Sequence, residues 1–159
     1  MLGWGATHDG RATRPGDGGD VRQVTRAMRL ALERAGRTAS DVDVVFPDAL
    51  GVPEYDRVES AAIRSVFGDE VPVTTQKGRI GRMYQGGAAV DVATALQAIR
   101  YDMLPPTAGL GDPAPGCELN FVREQTATRT SLALVNARGF DGYNTALVIG
   151  RYEPGRDEG

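Results

Sequence analysis

The sequence is poor in several residue types on which whole classes of protein depend. It has one cysteine, Cys117, which excludes an internal disulfide and suits a reducing, cytoplasmic compartment. No apolar run approaches the roughly 20 residues that a membrane-spanning helix needs, so no membrane association is expected. The 159 residues carry a formal net charge of -3, which argues against a nucleic-acid-binding surface. These shortages favour an ordinary soluble domain.

Histidine and lysine are equally scarce. His8 is the only histidine, and Lys77 is the only lysine among 18 Lys and Arg residues. Lys77 stands in a glycine-rich loop before a predicted helix, where free N–H groups and the helix dipole could attract a phosphate. The four glycines within residues 78–87 fit neither GxGxxG nor GxxxxGK[ST], however. We therefore expect no nucleotide or other cofactor and no bound metal.

Hydrophobic periodicity predicts an α/β domain over residues 1–152 and a charged tail at 153–159. Predicted strands are an opening strand from residue 1 and the segments 42–46, 71–75, 130–136 and 145–152. Predicted helices span 21–35, 56–67 and 86–101, and Asp20 and Asp56 are the expected N-caps of the first two. The order of these elements predicts a mixed, mostly parallel sheet of about five strands with helices on both faces.

Two of the predicted helices have unusual faces. Helix 86–101 is small or apolar nearly all round, apart from one polar line that includes Asp91. Such a helix needs cover on more than one side, so we expect this chain to self-associate or to bind a part of the protein that it does not contain. Helix 21–35 carries a cluster of arginines, which predicts either a solvated face or an interface for an acidic partner: Arg22, Arg26, Arg29 and Arg34.

Four stretches, in order and in register, resemble the C-terminal half of a β-ketoacyl synthase of the thiolase superfamily. They are VDVVFPDALGVP at 42–53, TTQKGRIGR at 74–82, LPPT at 104–107 and GFDGYN at 139–144. The resemblance spans nearly the whole chain and implies a thiolase-like C-terminal half. It also implies that the N-terminal ketosynthase half is absent, as in a split protein or in a fragment of a longer one.

The resemblance places degenerate residues at both catalytic histidine positions. In that family a cysteine carries the acyl chain, and two histidines stabilise the enolate formed as malonyl thioester loses carbon dioxide. Here Asp48 occupies the first histidine position and Arg82 the second. An ionised carboxylate has no proton to donate, and a guanidinium does not act as a base near pH 7. The resemblance therefore implies that no catalytic residue is intact.

Four further residues match family positions. Lys77 is either a vestigial active-site lysine or a surface loop charge, and Glu59 is expected to tie loop backbone together. Phe140 and Asn144, in the glycine turn, are candidates for a substrate pocket, although core packing is the favoured interpretation of Phe140. For Asp48 and Arg82 themselves, the alternatives are an ion pair across the old pocket or side chains that point apart.

Because it lacks both histidines, the chain resembles in particular the chain length factors, or ketosynthase β subunits, of type II polyketide synthases. That likeness implies a non-catalytic subunit, inactive alone, that pairs with a ketosynthase α and works with an acyl carrier protein to set the length of an aromatic polyketide. The alternative is the C-terminal half of a split or active β-ketoacyl synthase, an acyltransferase of decarboxylative condensation. A third possibility is a truncated product without a function of its own.

Overall fold

Strands and helices alternate along the chain largely as the hydrophobic periodicity predicts. The computed structural model describes residues 1–10, 17–139 and 141–152, so the predicted tail at 153–159 lies outside the described residues. The strands are β1 (Gly3–His8), β2 (Val44–Phe46), β3 (Met103–Leu104), β4 (Thr126–Ala127), β5 (Leu132–Arg138) and β6 (Tyr143–Gly150). The α-helices are α1 (Val21–Arg34), α2 (Pro53–Phe67), α3 (Lys77–Ile80) and α4 (Gly87–Tyr101).

The main sheet has four strands in the order β1-β6-β5-β2. β2 runs parallel to β5, whereas β1 and β5 both run antiparallel to β6. The prediction of a mixed α/β sheet is confirmed, but the expectation of mostly parallel pairing is wrong for these strands, because the hairpin β5–β6 and the strand β1 are antiparallel. The predicted strand 71–75 contributes only isolated parallel bridges, from Val73 to Val45 and from Val73 to Phe121, since Pro72 has no N–H for a longer ladder.

Helices cover both faces of this sheet, as predicted. Successive strand residues point to opposite faces, so Val45, Leu134 and Val148 pack in one cluster with α1 and α2. Their neighbours Val44 and Val135 pack in a second cluster with α4. The chain therefore has two apolar layers separated by the sheet, with α1 and α4 on opposite sides of it.

The start of α1 is as predicted from its capping residue, whereas the predicted start of α2 is wrong. Asp20 caps α1 as expected, because its side chain accepts the Arg22 N–H. α2 begins at Pro53, earlier than predicted, because a proline at the first helical position is already preset for the helix. Asp56 therefore lies in the first turn of α2, where it accepts the N–H of Gly51 at 3.3 Å.

One face of α4 is buried and the other is open. Ala95, Ala98 and Ile99 pack on the sheet, whereas Leu96 is 50% exposed and Tyr101 is 62% exposed. A single sheet covers one side of a helix only, which explains why this apolar helix is not buried all round in this chain. Within the described ranges, no helix is long and apolar enough to cross a membrane.

Candidate functional site

The loop after β2 and the segment around α3 bring Asp48 and Arg82 together. A side-chain nitrogen of Arg82, Nη2, lies 3.8 Å from Oδ2 of Asp48, within the roughly 4 Å that defines an ion pair. The same nitrogen donates a 2.7 Å hydrogen bond to the Arg138 carbonyl oxygen. Oδ2 of Asp48 is buried and accepts no hydrogen bond from the residues that the structure describes. The two side chains therefore pair by charge rather than by a direct hydrogen bond.

The pKa of Asp48 is raised from 3.8 to about 6. Burial is the main cause, and the nearby negative charge of Glu59 adds to it, while Lys77 and Arg82 act in the opposite direction. Asp48 is thus ionised at pH 7 and neutral in mild acid. At neutral pH it would repel a malonyl carboxylate and could donate no hydrogen bond to a developing enolate.

This raised pKa gives a pH-dependent prediction for Asp48→Asn. Because the folded-state pKa of Asp48 exceeds its unfolded value, the fold loses stability as the pH rises from about 4 to about 6. The asparagine variant escapes this loss, so its free energy of unfolding should exceed that of the parent by about 1–3 kcal/mol at pH 8. At pH 4 the difference should be near zero. Urea unfolding at a series of pH values measures it.

The matched control is Asp112→Asn, the same chemical change at an exposed position. It should change the free energy of unfolding by less than about 0.5 kcal/mol at either pH. A gain for Asp48→Asn that is the same at pH 4 and pH 8 would show that ionisation of Asp48 does not destabilise the fold.

Lys77 is buried in this site, so the alternative of a surface loop charge is wrong. Its ammonium group pairs with the Asp91 carboxylate of α4 and donates a 2.9 Å hydrogen bond to the Pro47 carbonyl oxygen. Burial raises the pKa of Asp91 to about 6, against the opposing effect of Lys77. Lys77 thus connects α3, α4 and the residue next to Asp48.

Glu59 holds the loop that carries Asp48. Its two carboxylate oxygens accept the backbone N–H groups of Asp48 at 2.8 Å and of Ala49 at 2.9 Å, and Asn136 donates its side-chain amide to the same carboxylate. Ala49 has φ of +45°, which is unfavourable for a residue with a Cβ. The two N–H bonds stabilise this turn and so fix the position of Asp48.

Sequence reasoning missed Arg138, the charged residue at the end of β5. It is buried and donates to the carbonyl oxygens of Tyr55 at 2.8 Å and Gly18 at 2.6 Å. Its Nε also donates to Oδ1 of Asn144 at 3.3 Å. An arginine that directly follows a run of buried strand residues was the available signal, because long charged side chains are rarely buried without partners.

Of the two pocket candidates in the glycine turn, Asn144 is the one that the structure describes. Asn144 is buried in β6, and its amide donates to Asp9 at 2.8 Å and to the Gly142 carbonyl oxygen at 3.1 Å, in addition to accepting from Arg138. This leaves its side chain engaged in holding the turn rather than facing a cavity. Phe140 lies outside the described residues.

A cavity of about 220 Å³ lies behind the Asp48 loop, between that loop, α2 and residues 107–121. Its lining is mainly apolar and includes Pro47, Ala49 and Cys117. Burial raises the pKa of the Cys117 thiol, with a further contribution from Asp56, so the thiol is a poor nucleophile. In the part of the chain that the structure describes, no group of three His, Cys, Asp or Glu residues could hold a metal ion.

Comparison with known proteins finds a matching family and relatives along nearly the whole chain. A family model described as the β-ketoacyl synthase C-terminal domain matches residues 1–111. The chain is 50% identical over 154 residues to the tetracenomycin polyketide synthase ketoacyl synthase beta subunit of Streptomyces glaucescens, covering 96% of this chain and 37% of that protein.

Two solved structures share the fold. The ishigamide ketosynthase/chain length factor superposes with a TM-score of 0.88 at 27% identity, covering 96% of this chain and 38% of that one. A β-ketoacyl synthase from Burkholderia phymatum superposes with a TM-score of 0.84 at 25% identity, covering 96% and 37% respectively. The chain thus spans little more than a third of the length of each of these three relatives.

Proposed function

We propose that this chain is the C-terminal part of a non-catalytic chain length factor of a type II polyketide synthase. The chain belongs to the β-ketoacyl synthase family, whose C-terminal domain it matches. Its role is to pair with a ketosynthase α and help to set the number of malonyl units joined into an aromatic polyketide. An acyl carrier protein delivers those units, and the location is cytoplasmic. The 50% identity to a ketoacyl synthase beta subunit supports this assignment.

The observation that carries the proposal is the Asp48–Arg82 pair. The supports of the ketosynthase loop are present, because Glu59 binds its backbone and Lys77 binds the Pro47 carbonyl oxygen. The two residues at the histidine positions, however, neutralise each other across 3.8 Å. A scaffold kept in register around a charge pair fits a subunit that keeps the shape of a ketosynthase and has lost its chemistry.

One observation favours the alternative, a C-terminal half of a catalytic β-ketoacyl synthase. The pKa of Asp48, at about 6, is near the value that suits a general base at neutral pH. In this alternative Asp48 accepts a proton while the nucleophile comes from the N-terminal half. The charge pairing with Arg82 weighs against it, because Arg82 stabilises the ionised carboxylate and lowers its basicity.

The open face of α4 supports the proposal that a partner lies against it. Leu96 and Tyr101 are exposed there, and a groove between α4 and the Pro105–Pro106 turn has a volume of about 760 Å³. In the proposed assembly the N-terminal half of the subunit covers this face, and a copy of the same chain covers it when that half is absent.

A domain exchange tests the function. This chain replaces the matching C-terminal part of the Streptomyces glaucescens beta subunit, and the hybrid is combined with its ketosynthase α, carrier protein and malonyl units. We expect polyketide formation, measured by mass spectrometry of the products, because the hybrid keeps the pairing surfaces and needs no histidine of its own. Loss of all products by a folded hybrid that still pairs with the α subunit would contradict the proposal.

A second arm distinguishes the alternative. The same chain replaces the C-terminal part of a catalytic ketosynthase, which supplies an intact nucleophile. We expect no condensation, since Asp48 and Arg82 stand at the histidine positions. Condensation by this hybrid would establish the catalytic alternative.

A further inference from the structure

The backbone of Arg138, at the end of β5, lies beside the Asp48–Arg82 pair. β2 pairs with β5 only as far as Phe46 and Val135, so the last residues of β5 have no neighbouring strand on that side. The Arg138 carbonyl oxygen accepts the 2.7 Å hydrogen bond from Nη2 of Arg82. Burial raises the pKa of Asp48, and hydrogen bonding from the Arg138 N–H is among the effects that oppose this rise. The main chain of one residue therefore contacts both members of the ion pair.

The side chain of Arg138 is anchored at three points. Its guanidinium donates to the carbonyl oxygens of Tyr55 and Gly18 and to Oδ1 of Asn144. It also lies 5.4 Å from the centre of the Tyr55 ring. These anchors belong to α2, to the segment before α1 and to β6. A planar guanidinium that donates in several fixed directions holds such a junction in one geometry.

We propose that Arg138 is a positioning residue for the Asp48–Arg82 pair. Its anchored side chain fixes its own backbone, and that backbone holds the two charged groups against each other. The pair needs such a guide, because Nη2 of Arg82 lies 3.8 Å from Oδ2 of Asp48, too far for a directional hydrogen bond. The bond to the Arg138 carbonyl oxygen supplies a direction that the charge contact lacks.

This role deepens the proposed function and rests on it in one respect, namely that the pair stands in place of two catalytic histidines. The positioning itself is measured at Asp48 and needs no polyketide formation. Failure of the domain exchange would therefore contradict the proposed function and leave the positioning role intact. A pKa of Asp48 that does not respond to Arg138 would contradict the positioning role alone.

NMR titration of the carboxyl carbons tests the inference, with the Asp48 signal identified by its absence from Asp48→Asn. The charged groups that act on this carboxyl are Glu59, Lys77 and Arg82. Arg138→Lys keeps the positive charge, but an ammonium group does not reproduce the planar fork of a guanidinium. We expect the pKa of Asp48 to rise from about 6 to about 7, because its opposite charge moves away. Arg138→Met should give a similar rise, whereas an effect of charge alone would leave Arg138→Lys like the parent.

A double-variant cycle shows whether Arg138 acts through Arg82. Arg82→Gln removes the cation and should raise the pKa of Asp48 at least as far as Arg138→Lys does. Adding Arg138→Lys to Arg82→Gln should then raise the pKa much less than it does in the parent, because both changes disturb the same contact. Equal rises with and without Arg82 would overturn the proposal.

The control for general loosening is Asp43→Asn, at the opposite end of β5. The Asp43 carboxylate accepts the N–H groups of Ser131 at 2.7 Å and of Leu132 at 2.9 Å, about 20 Å along the strand from Arg138. This variant should lose stability in urea unfolding and leave the pKa of Asp48 near 6. Circular dichroism verifies that each variant folds. A similar rise in Asp43→Asn, or an unchanged pKa in Arg138→Lys, would overturn the proposal.

Discussion

Replacing Lys77 with methionine is expected to lower the free energy of unfolding by about 3–5 kcal/mol at pH 7.5. Methionine keeps most of the length of the side chain but removes the charge that pairs with Asp91. The Asp91 carboxylate, which is 1% exposed, would then be buried without its cation. The Pro47 carbonyl oxygen would lose its donor as well. Urea unfolding monitored by circular dichroism measures the loss.

The loss should depend on pH in a defined direction. The pKa of Asp91 is already about 6 with Lys77 present, and removing the cation raises it further. In the variant Asp91 therefore takes up a proton on folding, so the variant recovers stability as the pH falls towards 5. We expect the difference from the parent to shrink by about 1 kcal/mol or more between pH 7.5 and pH 5.

Two further variants identify the cause. Lys77→Met combined with Asp91→Leu removes both charges and should recover most of the loss, because a buried pair replaced by apolar residues is often neutral. Arg79→Met removes an exposed charge from the same short helix and should cost less than about 0.5 kcal/mol. A loss below about 1 kcal/mol for Lys77→Met alone at pH 7.5 would contradict a tightly coupled buried pair.

The residues of the candidate site could be predicted from the sequence, because the family motifs fix their spacing along the chain. Asp48, Glu59, Lys77 and Arg82 converge in the structure, as a common family register requires. The ion-pair partner of Lys77, in contrast, could not be predicted. Asp91 stood in the one polar line of an otherwise apolar helix, and periodicity cannot distinguish a solvated carboxylate from one that pairs with a buried cation.

The errors in the fold have a similar origin. A run of apolar residues at 71–75 has strand propensity, but pairing requires N–H donors at the right positions, and Pro72 lacks one. The predicted parallel pairing failed because the order of elements does not reveal where β1 enters the sheet. Its place at the edge comes from backbone pairing with β6, near the other end of the chain, and β1 packs closely on α1 there; no local pattern records either contact.

The close packing of β1 on α1 makes Gly5→Ala the second change of large expected effect. β1 crosses α1 so closely that a Cβ on Gly5 would overlap the Ala27 carbonyl oxygen and lie 3.0 Å from the Ala31 nitrogen. Both obstacles are helix backbone, which cannot rotate aside as a side chain could. We expect a loss of about 3 kcal/mol or more in the free energy of unfolding, at the upper end of overpacking costs, measured by urea or thermal unfolding.

Gly111→Ala is the matched control, because a Cβ there meets nothing within 4 Å. It should leave stability unchanged or raise it slightly, since alanine lowers the entropy of the unfolded chain. The contrast separates steric contact from the general effect of replacing glycine. If Gly5→Ala is as stable as Gly111→Ala, β1 and α1 do not approach as described.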